Sequence, residues 1–425
     1  MYKVNDNLEV LISPDKLKVI VINKSNNSWI KMFKDDWTTI GRLVVENKVE
    51  HINNDIFQLM LNYGIVLESS ASNTFYDKNQ YNILYNITDL CNLSCSYCYV
   101  NNSNENKKSY CFETDYKKIL NIIKECNFSG ITISGGEPLL HPDIYDIIME
   151  CRKITRNIGI NTNATVNVGN LIRIAPLVKS ISISLDSGIP EENDVLRGDG
   201  NYLKTINAIK RLIALGHRDK LIIHPTITKK NRDNITSIFD VSKRYGIKVD
   251  FNYLFRCDDC NMSLNTDEEN DTRLNILKWN LINHYPKYDD TYYLGEIYYA
   301  RQRCPAGSML LVAPNGDMYP CPSLYDEKNY LGNILSLGKE SLQQYLDENK
   351  ILCGYRNKSI YNNPRYEKCN NCSVKNFCAG LCYGMDMTEL KCEYYRKYLN
   401  FKLWDYDSSL NTNEQVANFE SYFKR

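Results

Sequence analysis

From residue 81 to residue 256, short apolar and β-branched runs alternate with amphipathic helical patterns. The helical patterns include ETDYKKILNIIKEC and NYLKTINAIKRLIALG, where apolar residues recur every three to four positions. We predict six strands: YNILYNIT, GITISG, NIGINTN, SISISLDS, LIIHPTIT and VDFNYLFR. This alternation predicts an α/β fold with a parallel sheet and right-handed crossovers, shaped as a partial (β/α)6 barrel. Such folds place their chemistry at the carboxyl ends of the strands.

Residues 1–70 have a different pattern of apolar and polar residues, which predicts a small α+β domain. The segments LEVLISP, KLKVIVINK and SWIKMF predict three strands, and IVLES predicts a short closing strand. DDWTTIGRLVVEN and NNDIFQLMLNYG predict two helices between them. The second helix pattern places Ile56, Leu59, Met60 and Tyr63 on one face. Residues 71–80 are typical of a linker.

The pattern changes again after the predicted barrel. Residues 257–303 are polar and rich in tyrosine, with one helical stretch, and are interpreted as a bridging region. Residues 304–400 are rich in Cys, Gly and Pro, a composition that favours a domain folded around metal rather than around a large apolar core. Residues 401–425 predict a terminal helix.

Composition narrows the classes of function. The chain has 51 basic and 51 acidic residues, so its zero net charge and lack of a basic stripe argue against nucleic-acid binding. The polar start MYKVNDNLEV has no signal-peptide pattern, and no apolar run reaches membrane-spanning length. We therefore expect a cytoplasmic protein without a membrane partner. In that compartment, 16 cysteines point to metal rather than disulfides, although Cys126, Cys151 and Cys111 fit buried apolar positions.

Three cysteines follow the first predicted strand in the stretch DLCNLSCSYCYV. Cys91, Cys95 and Cys98 can hold three irons of a 4Fe–4S cluster and leave the fourth iron open to a ligand. Alone, this spacing also fits a zinc fragment. The next strand ends in ISGGEPLLHP, in which paired glycines let the backbone approach a ligand closely. The two motifs at the ends of consecutive strands are much more specific than either alone.

On these motifs, the segment from about residue 81 to 256 resembles the radical S-adenosylmethionine (SAM) superfamily. Tyr97 matches the aromatic residue that this family has before its third cysteine. The resemblance implies that the open iron chelates SAM, and that the reduced cluster cleaves SAM to a 5′-deoxyadenosyl radical. That radical abstracts hydrogen from a substrate.

The resemblance also implies contacts to SAM. The motif residues Gly135, Gly136 and Glu137 lie at the methionine amino end, and Arg197 resembles the arginine that meets the methionine carboxylate. Four further positions resemble SAM contacts of the family: Tyr97, Asn163, Ser184 and Asp186. Asn163 is followed by alanine where the family often has glycine. Each of these residues also fits a strand-end turn or cap.

A second set of cysteines has the spacing of the SPASM extension, including the segments PNGDMYPC and LGNI. Its seven members are Cys304, Cys321, Cys369, Cys372, Cys378, Cys382 and Cys392. The resemblance implies two auxiliary 4Fe–4S clusters, and so three clusters in all. Cys304, Cys321 and Cys382 would bind the proximal cluster, and the other four the distal cluster. Zinc is the alternative metal for such cysteine pairs.

The proximal set has three cysteines rather than four. Its fourth ligand is Cys353, Cys257 or Cys260, or else the iron is open and binds a substrate thiolate. The sequence leaves these alternatives open.

Proteins with this architecture mostly modify peptides or proteins. Residues 1–70 resemble, by pattern and position, the winged-helix domain that binds the leader of a precursor peptide by strand addition. Our leading hypothesis is a peptide maturase that forms intramolecular thioether crosslinks and receives electrons from a reductant such as flavodoxin or ferredoxin. Alternatives are C–C or C–O crosslinking, epimerisation, formylglycine formation on a protein, and a non-catalytic iron–sulfur protein. The sequence identifies no catalytic base.

Overall fold

The computed structural model describes residues 2–25, 28–69, 80–98, 115–254, 261–283, 304–338, 341–357, 364–378, 380, 382, 388–407 and 409–424. Within these ranges, no helix is both long and apolar enough to cross a membrane.

The chain begins with a small unit of strands and helices. Its elements are β1 (Tyr2–Val4), β2 (Leu8–Ile12), β3 (Lys18–Asn23), β4 (Trp29–Phe33), α1 (Lys34–Val45), α2 (Asn54–Asn62) and β5 (Val66–Glu68). β2, β3 and β4 form an antiparallel meander, and β1 pairs with β5 as a separate ribbon. The predicted strands and helices are therefore present, and β1 is an additional strand.

The central strand of the meander, β3, is buried on both faces. Val19 and Val21 pack with the buried residues of α1 and α2, and β3 carries Ile20 and Ile22 on the opposite face. These two isoleucines pack against Phe377, far along the chain, so the meander joins the amino-terminal unit to the cysteine-rich region.

The predicted buried face of α2 is confirmed at Met60 and wrong at Ile56 and Leu59. Ile56 and Leu59 are 40% and 36% exposed, whereas Phe57 and Met60 are buried. The helix is rotated because the large Phe57 ring packs edge-on against Tyr2 of β1, with ring centroids 5.1 Å apart.

A parallel barrel segment follows. Its strands are β6 (Tyr81–Asn86), β7 (Phe128–Ser134), β8 (Ile158–Thr162), β9 (Ser180–Ile183), β10 (Leu221–Ile223), β11 (Thr226–Ile227), β12 (Lys248–Val249) and β13 (Asn252–Tyr253). Its helices are α3 (Tyr116–Ile123), α4 (Ile144–Ile154), α5 (Val168–Ile174), α6 (Pro190–Arg197), α7 (Asn201–Ala214) and α8 (Ile238–Tyr245). The bridging region contributes α9 (Thr266–Asn283).

The order of the strands confirms the predicted parallel α/β fold. β6, β7, β8, β9, β10 and β12 are neighbours in chain order, and β11 pairs in parallel with β13. The core between sheet and helices is built largely from isoleucine and leucine side chains. Cys126 and Cys151 are buried in this core, as predicted for apolar cysteines.

The carboxyl-terminal region adds strands to the same sheet. Its elements are β14 (Met309–Val312), β15 (Asp317–Tyr319), β16 (Gly332–Asn333), α10 (Leu342–Glu348), α11 (Lys350–Asn357), α12 (Lys375–Cys378), α13 (Glu389–Asn400) and α14 (Thr412–Lys424). β14 pairs in parallel with β6, and β15 and β16 continue the sheet in antiparallel fashion. The sequence did not predict the β14–β15 hairpin, but it did predict the terminal helix, α14.

The expectation that residues 304–400 take no part in a large apolar core is wrong for residues 304–352. Leu310, Val312, Leu342 and Leu352 all belong to the hydrophobic core of the barrel. The reason is the pairing of β14 with β6, which brings its apolar side chains into the layer between sheet and helices.

Candidate functional site

The three-cysteine loop follows β6, and Cys91 lies five residues after Asn86, the last residue of that strand. Within it, the Cys98 N–H donates to the Cys95 carbonyl at 3.2 Å, and the Leu93 N–H donates to Cys91 Sγ at 3.4 Å. Burial raises the pKa of Cys91 to about 11, and the neighbouring Glu137, Cys95 and Cys98 add to the rise. The three cysteines are therefore close enough to oppose each other's ionisation, a cost that a bound cation removes.

The donor chemistry of this loop fits an iron–sulfur cluster. Cys91, Cys95 and Cys98 are all half-buried free thiols on one short loop. Among the described residues, no three Cys, His, Asp or Glu side chains already converge on one point at metal-binding geometry. Binding a cluster therefore requires these thiols to turn toward a common centre, which their shared loop permits.

The paired glycines lie directly against this loop. The Gly136 N–H donates to the Thr88 carbonyl and the Glu137 N–H donates to the Leu90 carbonyl, both at 2.7 Å. A Cβ at Gly135 would lie 2.3 Å from the Thr88 carbonyl oxygen, and one at Gly136 would lie 2.2 Å from that of Leu90. Only glycine permits this approach, so the motif fixes the start of the cysteine loop against the end of β7.

Glu137 joins the ends of two strands. Its buried carboxylate accepts hydrogen bonds from the Leu139 N–H at 3.0 Å, the Thr162 hydroxyl at 2.6 Å and the Asn163 N–H at 2.7 Å. Burial raises the pKa of Glu137 to about 7, although these three hydrogen bonds act in the opposite direction. Glu137 therefore links the turn after β7 to the end of β8 through hydrogen bonds.

Asn163 connects the end of β8 to the cysteine loop. Its amide nitrogen donates to Asn92 Oδ1 at 3.0 Å and lies 3.9 Å from Cys91 Sγ. The following Ala164 has a φ of 56°, the left-handed conformation that favours glycine. The chain thus keeps the backbone turn expected for Asn-Gly, even though this costs alanine roughly 1–2 kcal/mol.

A buried ion pair stands beside the same loop. Asp186 accepts a hydrogen bond from Arg197 Nη2 at 2.8 Å, and Arg197 Nε lies 2.7 Å from the other carboxylate oxygen. The Tyr97 hydroxyl also donates to Asp186, and the Thr226 N–H donates to it at 2.9 Å. Burial acts to lower the pKa of Arg197, but the charge of Asp186 outweighs it and raises this pKa above its ordinary value.

This ion pair changes the roles implied by the family resemblance. Asp186 is fully buried and both its oxygens have protein partners, so it holds Arg197 and Tyr97 in place rather than presenting a free carboxylate. Arg197 keeps further N–H groups for a ligand. Ser184 lies at the end of β9, where its N–H donates to the Thr162 carbonyl at 2.9 Å.

The second set of cysteines falls into two groups. Cys304 and Cys321 are buried together in one small cluster with Tyr355. Burial raises the pKa of Cys369 to about 11, and the neighbouring Cys392 and Cys372 add to the rise. These contacts agree with the pairing implied by the resemblance. Cys378 packs against the same apolar cluster as Cys372.

Cys353 is turned away from the proximal group. Its thiol donates to the Asp347 carbonyl at 3.1 Å and accepts from Arg356 Nη2 at 3.2 Å. Tyr355, two residues further along α11, is the residue that packs on Cys304. In this arrangement the Cys353 sulfur is engaged by Asp347 and Arg356, which argues against its being the fourth proximal ligand. The other two candidates, Cys257 and Cys260, lie outside the described residues.

A buried charged cluster, absent from the sequence prediction, links the bridging helix to the cysteine-rich region. Glu269 on α9 pairs with Arg273 Nη2 at 2.8 Å and with Lys391 Nζ at 2.9 Å. The Arg273 guanidinium lies 3.7 Å above the ring of Tyr253, at the end of the last barrel strand. Lys391 directly precedes Cys392, so this cluster ties a predicted cluster ligand to the barrel.

A partial parallel barrel whose first strand runs into three cysteines, held by a Gly-Gly-Glu turn, defines the class of radical SAM enzymes. Residues 85–241 match the model of the radical SAM superfamily, and residues 304–373 match that of the SPASM iron–sulfur cluster-binding domain. The chain therefore contains a radical SAM domain followed by a SPASM domain.

Known proteins share this organisation. Mycofactocin maturase MftC of Mycobacterium tuberculosis is 23% identical over 325 residues, which cover 71% of this chain and 77% of MftC. The solved structure of native anSMEcpe with bound AdoMet has a TM-score of 0.61 and 17% identity, covering 81% of this chain and 100% of that one. Streptococcus suis SuiB bound to precursor peptide SuiA has a TM-score of 0.55 and 16% identity, covering 90% and 96%. The two solved structures show that the fold is shared.

Proposed function

We propose that this protein is a maturase of a ribosomally synthesised peptide, with SAM and three 4Fe–4S clusters as its cofactors. The observation that carries the proposal is the direct contact between the Gly-Gly-Glu turn and the three-cysteine loop. The names of two similar proteins, a mycofactocin maturase and a SuiB bound to its precursor peptide, support a peptide substrate. A cytoplasmic location and reduction by a flavodoxin or ferredoxin belong to the same proposal.

SAM bound at the first cluster supplies a 5′-deoxyadenosyl radical, which takes a hydrogen atom from the substrate. Cys91, Cys95 and Cys98 would hold this cluster. Arg197 would bind the methionine carboxylate with the N–H groups that Asp186 does not use. The loop is kept in position from both sides, by the glycine turn and by the buried ion pair, and this support would hold its backbone in place as the thiols turn toward the cluster.

The bond we propose is an intramolecular thioether between a substrate cysteine and a carbon atom. The orientation of Cys353 away from Cys304 and Cys321 supports a proximal cluster with an iron open to the substrate thiolate. An open iron would hold the sulfur near the carbon radical and accept the electron released when the C–S bond forms.

The amino-terminal unit would bind the leader of the precursor peptide as an added strand. Two edges of its meander are candidates. On β2, hydrogen bonds to β3 are made by every second residue, among them Ser13, which pairs with Lys18. Val10 lies between two such residues, so its N–H points away from β3 at the free edge of β2. By the same alternation, Lys31 directs its N–H outward on the β4 edge.

Proline substitution at these edges tests leader binding. Val10→Pro and Lys31→Pro each remove an outward N–H while keeping the hydrogen bonds within the meander. We expect one of them to weaken binding of the leader peptide, measured by fluorescence anisotropy, and to leave SAM cleavage unchanged. Unchanged affinity in both variants would refute strand addition. Deleting the whole unit is a poorer test because it uncovers Phe377.

The proposed function is tested anaerobically with reconstituted enzyme, reductant, SAM and the short cysteine-containing peptide encoded nearby. The expected product has lost two hydrogens and has one cysteine that no longer reacts with iodoacetamide. Loss of two hydrogens with every cysteine still reactive would instead indicate a C–C or C–O crosslink. An unchanged mass with an inverted stereocentre would indicate epimerisation, and SAM cleavage without any peptide product would refute the maturase proposal.

A further inference from the structure

One histidine lies on the inner face of the barrel. The register of three neighbouring strands aligns one buried residue from each, namely Ile183, Ile223 and Val249. The next residue along each strand is Ser184, His224 or Asp250, and the His224 N–H donates to the Ile183 carbonyl at 2.8 Å. Because side chains alternate along a strand and the aligned residues pack toward the helices, these three side chains face the barrel interior at one level.

The surroundings of His224 leave its imidazole able to accept a proton. Its side chain is 27% exposed, and Nε2 lies 2.5 Å from the Asn252 amide nitrogen. Nδ1 is buried without a hydrogen bond, and the nearest carboxylate oxygen, on Asp250, is 3.7 Å away. A neutral ring with its proton on Nδ1 fits this arrangement, because Nε2 then accepts from Asn252 and Nδ1–H points toward Asp250.

The charged groups around His224 keep it in the basic form. Burial lowers the pKa of His224 below its ordinary value, Asp250 and Asp186 act to raise it, and Arg197 acts to lower it. The ring is therefore neutral at pH 7. Asp250 lies 3.7 Å from Nδ1 with its side chain 70% exposed, so it would favour the imidazolium weakly through its charge.

Within the described residues, the other carboxylate and histidine candidates are either engaged in the protein or lie away from this level of the barrel. The Asp186 carboxylate is saturated by Arg197 and Tyr97. Of the histidines in the described ranges, His51 lies in the amino-terminal unit, and His217 lies at the amino-terminal side of β10. The third, His141, accepts a hydrogen bond from the Asp143 N–H outside the barrel.

From this placement we infer that His224 is the proton acceptor for the peptide substrate, with Nε2 as the accepting atom and Asp250 as its partner. The inference rests on the proposed maturase function. Forming any C–S, C–C or C–O crosslink breaks one C–H bond and one S–H, C–H or O–H bond. The first hydrogen leaves as an atom to the 5′-deoxyadenosyl radical. The second leaves as a proton to His224, and the remaining electron goes to an auxiliary iron–sulfur cluster.

The test compares His224→Gln with the matched control His217→Gln in the reconstituted full-length enzyme. We expect His224→Gln to form 5′-deoxyadenosine within about twofold of the control, and to lower crosslinked peptide about 10²–10⁴-fold. In the wild type, crosslinking should fall at acidic pH as His224 becomes protonated, below the ordinary histidine pKa of about 6.5. The variant should lack this acidic limb, and added imidazole should restore part of its rate.

The outcomes separate the inference from the function. Crosslinking by His224→Gln at the control rate with the wild-type pH profile would overturn the inference and leave the maturase function standing. Loss of 5′-deoxyadenosine formation in His224→Gln would place the residue at the SAM site instead, and would also overturn the inference. Absence of any peptide product from the wild type would overturn both.

Discussion

Trp29 of the amino-terminal meander packs edge-on against Phe377 of the SPASM region, with ring centroids 5.6 Å apart. Ile20 and Ile22 on β3 join the same cluster, which also contains the half-buried Cys372. The proposed leader-binding unit therefore rests on the helix turn that carries predicted cluster ligands. The amino-terminal unit and this cysteine-bearing turn therefore share one apolar contact surface.

Replacing Phe377 by alanine tests this contact. The side chain is 1% exposed, so we expect the free energy of unfolding to fall by about 3–5 kcal/mol, measured by anaerobic guanidinium denaturation. Phe33→Ala is the control, since Phe33 lies on β4 of the same meander but is 59% exposed. Equal stability of the two variants would show that the contact surface contributes little.

Asp186→Asn should weaken the SAM site without removing a SAM ligand. The substitution leaves Arg197 buried without its negative partner, which costs about 3–5 kcal/mol, and releases Tyr97 beside Cys95. We expect weaker SAM binding in equilibrium dialysis. The exposed Asp199→Asn on the following turn serves as control, and wild-type affinity in Asp186→Asn would contradict the bracing role.

Glu269→Gln should disturb the auxiliary clusters from a distance. Without the carboxylate, Arg273 and Lys391 are two buried cations with no countercharge, and the helix start at Cys392 loses its attachment to α9. We expect lower iron content with the three-cysteine loop still able to bind its own cluster, resolved by Mössbauer spectroscopy. Asp271→Asn, exposed on the same helix, should keep full iron content; equal iron in both would contradict this role.

Glu137 should give stability an unusual dependence on pH. Its pKa of about 7 in the folded chain lies above the value of about 4.3 for an unfolded glutamate, so folding favours the protonated form. The resulting stabilisation is complete below about pH 4 and is lost as the pH rises through 7. The stability of the wild type relative to Glu137→Gln should fall by up to about 3–4 kcal/mol over that range.

Paired denaturation curves at pH 5 and pH 8 check this sign. Glu125→Gln, an exposed position near the start of β7, should show no such change relative to the wild type. A wild type that gains stability over Glu137→Gln with rising pH would mean that the three hydrogen bonds outweigh burial.

Much of the barrel could be predicted because its signals are local. Runs such as GITISG between amphipathic helices indicate buried parallel strands, and chain order gives the order of the sheet. The glycine turn could be predicted as a motif, but the backbone segment against which it packs could not. The sequence indicates a ligand approaching Gly135 and Gly136, whereas in the structure the nearest groups are the Thr88 and Leu90 carbonyls.

The missed features depend on contacts between distant segments. The run MLLV before a Pro-Asn-Gly-Asp turn indicates a hairpin, yet nothing local shows that β14 pairs with β6. On α2, apolar residues occupy two overlapping faces, and packing against Tyr2 selects Phe57 over Ile56. The sequence does not single out His224, because a lone histidine after a strand has no spacing signal. Only the strand register places it beside Ser184 and Asp250.

The pairing of β14 with β6 also sets the order in which the protein is completed during synthesis. Met309 pairs with Asn82, so more than half of the chain separates two neighbouring strands. Until β14 leaves the ribosome, β6 has an unpaired edge, and this is the strand that leads into Cys91. The radical SAM segment is therefore synthesised first, but its sheet is completed only when β14 has been made. A chain that stops before residue 309 carries its cysteine loop next to an unpaired, aggregation-prone strand edge.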